Sequence, residues 1–124
     1  MTSPRVLIVD DNELNLELAS FLLKGDGMQV ATAHDADSAM AQAIVFGPDL
    51  VLMDIQLPQL DGLEITRRLR ADPATRRLVI VAFTAYAMKG DEARMLAGGC
   101  DGYISKPIDV SRFVAQVRSH LKAP

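Results

Sequence analysis

Five short apolar runs alternate with longer stretches of helical spacing along these 124 residues, and that alternation leaves few folds open. Val6-Leu7-Ile8-Val9 is continuous and largely β-branched, as a strand covered on both faces should be. Residues 12–24 follow with helical spacing, Leu14, Leu18, Phe21 and Leu22 forming one apolar stripe, and Gly25 and Gly27 stop the helix. Met28 to Ala33 reads as a second, weaker strand. Asp35 is placed to cap a helix over 36–46, which Gly47-Pro48 ends. Leu50-Val51-Leu52-Met53 is a third buried strand. A loop marked by Pro58 and Asp61-Gly62 leads to a helix carrying Ile65 and Leu69, which ends before Pro73. Leu78 to Phe83 is a fourth strand, and a helix over 88–97 runs into Gly98-Gly99. Gly102-Tyr103-Ile104 is a short fifth strand, and Phe113, Val117 and Leu121 mark the inner stripe of a last helix.

Strand followed by helix, five times over, predicts an α/β fold: a five-stranded parallel sheet with helices on both faces, (βα)5. Right-handed crossovers restrict it to a doubly wound sheet. The length fits one domain over residues 1–124, with a core from 5 to 121. Ligands of such sheets bind beyond the carboxyl ends of the strands, where strand order reverses.

That rule directs attention to the residue just past each strand. Asp10 and Asp11 follow the first, Asp54 the third, Thr84 the fourth, and Ser105, Lys106 and Pro107 the fifth. Three carboxylates, a hydroxyl and an ammonium thus converge on one edge from segments 44, 30 and 22 positions apart. Two like charges ~4 Å apart repel by ~4 kcal/mol at an effective dielectric of about 20, so such a cluster attracts a cation. Oxygen donors without His or Cys suit Mg²⁺ or Mn²⁺ rather than zinc. Lys106 is suited to bind a phosphoryl oxygen and Thr84 to donate to another. Asp54, nearest the middle of the set, is the candidate nucleophile, giving an acyl phosphate. Each residue alone has a plainer explanation. Asp10-Asp11 could be a turn or a cap, Thr84 a satisfied hydroxyl, Lys106 a solvated surface lysine; it is the set that points to phosphoryl chemistry.

Composition trims the alternatives. The chain has 13 bases against 16 acids, a formal charge of −3, and no basic run of the kind that meets nucleic-acid phosphates. Two Tyr, four Phe and no Trp make a poor base-stacking platform. No apolar stretch approaches a membrane span and no signal peptide is visible. The single cysteine, Cys100, excludes an intramolecular disulfide and fits a reducing, cytoplasmic compartment. His34 and His120 read as surface residues.

Val9-Asp10-Asp11, Met53-Asp54 with Pro58 and Asp61-Gly62, Thr84-Ala85 and Lys106-Pro107 together resemble the receiver domain of two-component response regulators, over essentially the whole of Arg5 to Leu121. Asp11-Asn12-Glu13-Leu14-Asn15, residues 84–91 and Tyr103-Ile104-Ser105-Lys106-Pro107-Ile108 resemble hybrid-kinase receivers and the single-domain DivK type. The resemblance implies a flavodoxin-like fold with strand order 2-1-3-4-5. It implies Asp54 as phospho-acceptor, with Asp11, Asp54 and the backbone carbonyl of Gln56 as Mg²⁺ ligands and Asp10 helping through water. Lys106 would pair with the phosphoryl group, across a cis bond to Pro107. Thr84 and Tyr103 would be the moving switch pair, beside small Ala85. Gln56 and Tyr86 stand where the family tunes hydrolysis.

The implied phosphodonor is a sensor histidine kinase or a histidine phosphotransfer protein, docked near Leu14, Leu18 and Pro58. The implied output is a downstream protein bound on the 88–114 face, where Met95, Ile108, Val110 and Val114 are expected to be partly exposed. The protein would be a monomer or a phosphorylation-dependent dimer, an enzyme only toward its own phosphorylation and dephosphorylation. The start at Met1 favours a stand-alone receiver over a piece of a hybrid kinase. An aspartyl-phosphate phosphatase would place an acid where Gln56 stands, and a nucleotide- or flavin-binding module would have a glycine-rich turn where Asp10-Asp11-Asn12-Glu13 stands.

Overall fold

The computed structural model describes residues 3–55, 61–85 and 89–121. Ten elements alternate in chain order: β1 (Arg5–Val9), α1 (Glu13–Gly25), β2 (Gln29–Ala33), α2 (Ala36–Val45), β3 (Leu50–Met53), α3 (Gly62–Ala71), β4 (Val79–Thr84), α4 (Lys89–Ala97), β5 (Gly102–Ser105) and α5 (Phe113–His120). The strands form one parallel sheet in the order β2-β1-β3-β4-β5. The doubly wound fold and its strand order are therefore as expected, and no helix among the described residues is long and apolar enough to cross a membrane.

The continuous apolar strands make two cores by simple alternation, because successive side chains leave a strand on opposite faces. Leu7, Val9, Val51, Met53, Ile80 and Ala82 face one way, onto α2, α3 and α4. Val6, Ile8, Leu50, Leu52, Val81 and Phe83 face the other, onto α1 and α5. Caps fix where helices begin. The Asn12 side chain accepts from the Asn15 amide at 3.1 Å and starts α1. Asp35 and Ser38 form a reciprocal capping box on α2, and Asp61 accepts from the Leu63 amide at 2.8 Å to start α3.

The apolar stripe of α1 read from spacing is not the face that enters the core. Leu14 and Phe21 are 76% and 74% exposed, and Leu18 is also exposed. The helix turns Ala19 and Leu23 inward instead, with Leu16 and Leu22 half covered. Both arcs of this helix are apolar, so periodicity cannot choose between them. Packing does: small Ala19 lets the α1 backbone approach the sheet, and Leu23 reaches the layer shared with α5. Leu23→Ala is expected to cost about 3 kcal/mol and Phe21→Ala no more than about 0.5 kcal/mol in urea unfolding. Equal losses would mean that the helix is rotated from the position described.

Two further expectations are corrected. Met95 is fully buried in the core between the sheet and α3–α4, so it is no part of an exposed face. His120 is half-buried rather than a surface residue; its ring lies against Gly102, where a Cβ would stand 2.5 Å from the ring Cε1. The missing side chain of β5 makes the room. His34 is exposed, and Cys100 is buried, its thiol pushed up by desolvation.

Candidate functional site

Parallel register brings the strand ends level. Val9 pairs with Met53, Met53 with Ala82, and Thr84 with Ser105, so the residues that follow them emerge along one edge. Asp10 continues from β1, its amide donating to the Ala33 carbonyl at 3.0 Å. The Asp54 amide donates to the Val9 carbonyl at 2.9 Å, which ties the end of β3 to β1. The Lys106 amide donates to the Thr84 carbonyl at 2.7 Å, which ties the turn after β5 to β4. The Lys106–Pro107 peptide bond is cis.

Asp10, Asp11 and Asp54 each offer a carboxylate oxygen, and these three atoms lie within 4.8 Å of one another. Asp10 and Asp54 are buried and Asp11 is exposed. Lys106 Nζ stands 2.8 Å from Asp10 Oδ2 and 3.2 Å from Asp54 Oδ2, its side chain only 15% exposed. Asp10 Oδ1 also accepts from the Asn12 amide at 2.9 Å, and its Oδ2 from Asn15 Nδ2 at 3.4 Å. One ammonium among three carboxylates leaves two formal negative charges in a half-buried site. That surplus, and a donor set of oxygens alone, fits a hard divalent cation.

Thr84 is buried at the end of β4, and exposed Ala85 follows it. Tyr103 pairs with Ala82 and Ser105 with Thr84, so Tyr103 and Thr84 share the sheet face that carries α3 and α4. Tyr103 is half-buried, packed against that core. Ser105 and Pro107 are exposed. Gln56, Pro58 and Tyr86 lie outside the described residues.

Sequence reasoning missed three supports of this site. Lys106 bridges Asp10 as well as Asp54, which spacing could not show. Gly62, read as part of a turn, packs its Cα against the Asp54 and Ile55 backbone, where a Cβ would overlap the Asp54 carbonyl oxygen. Phe83, read as core, presents its ring to Lys106 Nζ at 5.0 Å from the centroid. The Asp61-Gly62 pair was a signal for the second; nothing in the sequence signals the others.

The molecule is a doubly wound parallel α/β sheet with an acidic, lysine-bridged edge, and comparison with known families specifies its class. The family model of the response regulator receiver domain matches residues 6–118, and the chain belongs to that family. The polar-differentiation response regulator DivK of Brucella anthropi is 47% identical over 116 residues, 94% of each chain. The chemotaxis response regulator CheY4 of Vibrio cholerae superposes with a TM-score of 0.90 at 25% identity, over 97% of this chain and all of that one. The receiver domain of the sensor histidine kinase PA1611 of Pseudomonas aeruginosa superposes with a TM-score of 0.85 at 32% identity, over 97% of this chain and 98% of that one. It was solved with a magnesium ion coordinated in its active-site cleft.

Proposed function

We propose that this receiver takes a phosphoryl group from a phosphohistidine onto Asp54, in a Mg²⁺-dependent reaction, and that the change alters its binding to a partner protein. The observation that carries the reading is the buried Asp54 carboxylate set beside Asp10 and Asp11 with Lys106 Nζ at 3.2 Å. The same arrangement supports the roles assigned to each residue. A carboxylate oxygen of Asp54 attacks phosphorus, the N–P bond breaks, and the imidazole leaves with a proton from solvent. Negative charge gathers on the phosphoryl oxygens during this in-line transfer. Lys106 is held at the site to meet that charge, and Thr84 is within the same edge to donate a hydrogen bond. Asp10, Asp11 and Asp54, with the Gln56 carbonyl, would hold Mg²⁺, which supplies charge neutralisation between carboxylate and phosphoryl oxygens when bound.

The phosphodonor is a sensor histidine kinase or a histidine phosphotransfer protein, for which exposed Leu14 and Leu18 beside the site offer an apolar contact. Thr84 and Tyr103, on one sheet face, are the switch pair. A charge added at Asp54 biases both, and the change reaches α4, β5 and α5, where exposed Val110 and half-buried Ile108 and Val114 offer a surface to a downstream protein. The setting is cytoplasmic, and the protein is a monomer or a phosphorylation-dependent dimer. It acts as an enzyme only in its own phosphorylation and dephosphorylation.

Phosphoramidate, a small N–P donor, tests the reading. The protein incubated with it and Mg²⁺, then reduced with borohydride, is expected to carry homoserine at position 54, the product of reducing an aspartyl phosphate. Phosphoryl groups mapped to His34 or His120, with position 54 unmodified, would contradict it.

A further inference from the structure

Lys106 has a third neighbour besides its two carboxylates. The Phe83 ring lies under Nζ, 5.0 Å from centroid to nitrogen. Phe83 is fully buried, and the lysine side chain is 15% exposed, so water screens this contact little. An ammonium over an aromatic face is attracted by the negative face of the ring, most strongly where both are desolvated. The ring is itself fixed: Phe113, in the first turn of α5, packs on it with centroids 5.9 Å apart. Two adjacent residues of β4 therefore hold the lysine at both ends. The Thr84 carbonyl takes its amide at 2.7 Å, and the Phe83 ring takes its head.

We propose that Phe83 is a positioning residue for Lys106. Its ring, braced by Phe113, holds the ammonium aligned on Asp10 and Asp54, ready for charge that appears at Asp54. A four-carbon side chain pays rotamer entropy to point one way. Asp10 and Asp54 draw Nζ to the acidic cluster. The ring adds a third contact, so the ammonium has three partners: Asp10 and Asp54, just past the ends of β1 and β3, and Phe83 in β4. A leucine could fill the space of the ring but gives the ammonium no negative face. The effect on phosphoryl transfer rests on the reading of Asp54 as the acceptor; the contact itself does not.

The test is a double-mutant cycle in metal-free buffer, read by urea unfolding. Phe83→Leu and Lys106→Met are made singly and together. A coupling of about tenfold in the folding constant is expected, beyond the product of the two single effects. A ring-trifluorinated phenylalanine placed at position 83 keeps the shape and packing of the ring but removes its negative face. It is expected to lose the coupling to Lys106, and with it about tenfold in the folding constant, while keeping the wild-type secondary structure by circular dichroism. With phosphoramidate and Mg²⁺, both position-83 variants should acquire the phosphoryl group about tenfold more slowly, whereas Ile80→Val, a core change on the other face, should match the wild type. Additivity within twofold, or a trifluorinated protein that keeps the full coupling, would overturn the proposal. Coupling in the cycle without phosphorylation of the wild type would uphold the positioning contact and remove the acceptor reading instead.

Discussion

Lys106→Met is expected to lose about 3 kcal/mol of stability in buffer stripped of divalent cations, and to regain most of it in Mg²⁺. The loss follows from what the ammonium holds apart. Asp10 is fully buried and Asp54 nearly so, and Lys106 Nζ sits 2.8 and 3.2 Å from their oxygens. Removing one member of a buried ion pair strands the others, which costs ~3–5 kcal/mol, far above the ~0–1 kcal/mol of a surface pair. Methionine conserves most of the stem, so lost packing adds little. The recovery follows from the same charges. Without the ammonium the site's formal charge goes from −2 to −3, so a divalent cation binds more tightly and stabilises by mass action. Urea unfolding with and without Mg²⁺ reads both parts. An equal loss under the two conditions would mean that Lys106 acts by packing rather than charge.

Gly62→Ala should be the most damaging single-methyl change near the site. Alanine is the better helix former by about 1 kcal/mol, so propensity alone predicts a gain. Space decides the other way. The new Cβ would overlap the Asp54 carbonyl oxygen and stand 2.8 Å from Ile55 Cα, both backbone atoms that cannot swing aside. The start of α3 or the end of β3 must shift, at a cost of about 3 kcal/mol or more. For a domain of this size each kcal/mol lowers the melting temperature by about 4 °C, so a fall of roughly 8 °C or more net of the helix gain is expected. The phosphorylation rate should fall with it, because the displaced backbone carries Asp54. Gly25→Ala is the contrast: nothing lies within 4 Å of its new Cβ, and it should be neutral or slightly stabilising. A Gly62→Ala protein as stable and as readily phosphorylated as the wild type would refute this close approach.

The fold was legible because its signals are local and redundant. Continuous runs such as Val6–Val9 and Leu50–Met53 have no stable place except a doubly covered strand. Asp35 with Ser38, and Asp61 before Gly62, announce helix starts by chemistry that operates within four residues. The acidic cluster was legible for a different reason. Parallel strands in register bring their carboxyl ends level, so Asp10, Asp54, Thr84 and Lys106 could be placed on one edge from strand ends alone.

What escaped depends on contact between distant segments. Leu14, Leu18 and Phe21 make as apolar an arc as Leu16, Ala19 and Leu23, and only the size of Ala19 against the sheet picks the inner one. Met95 was assigned to an exposed face, but α4 turns it into the core cluster on the α2–α4 side of the sheet. His120 was assigned to the surface, but the bare Gly102 backbone gives its ring a seat. The Phe83–Lys106 contact joins residues whose periodicity says core strand and solvated turn, and neither pattern predicts the meeting.

Intact mass after incubation with acetyl phosphate tests the central claim most directly, with the wild type in Mg²⁺, the wild type with the cation chelated, and Asp54→Asn in Mg²⁺. The account predicts a gain of one phosphoryl group in the first sample alone. Its loss in the second would follow from the uncompensated carboxylates, and in the third from the missing nucleophile. An unmodified wild type, or an Asp54→Asn protein that gains the group as fast, would contradict it.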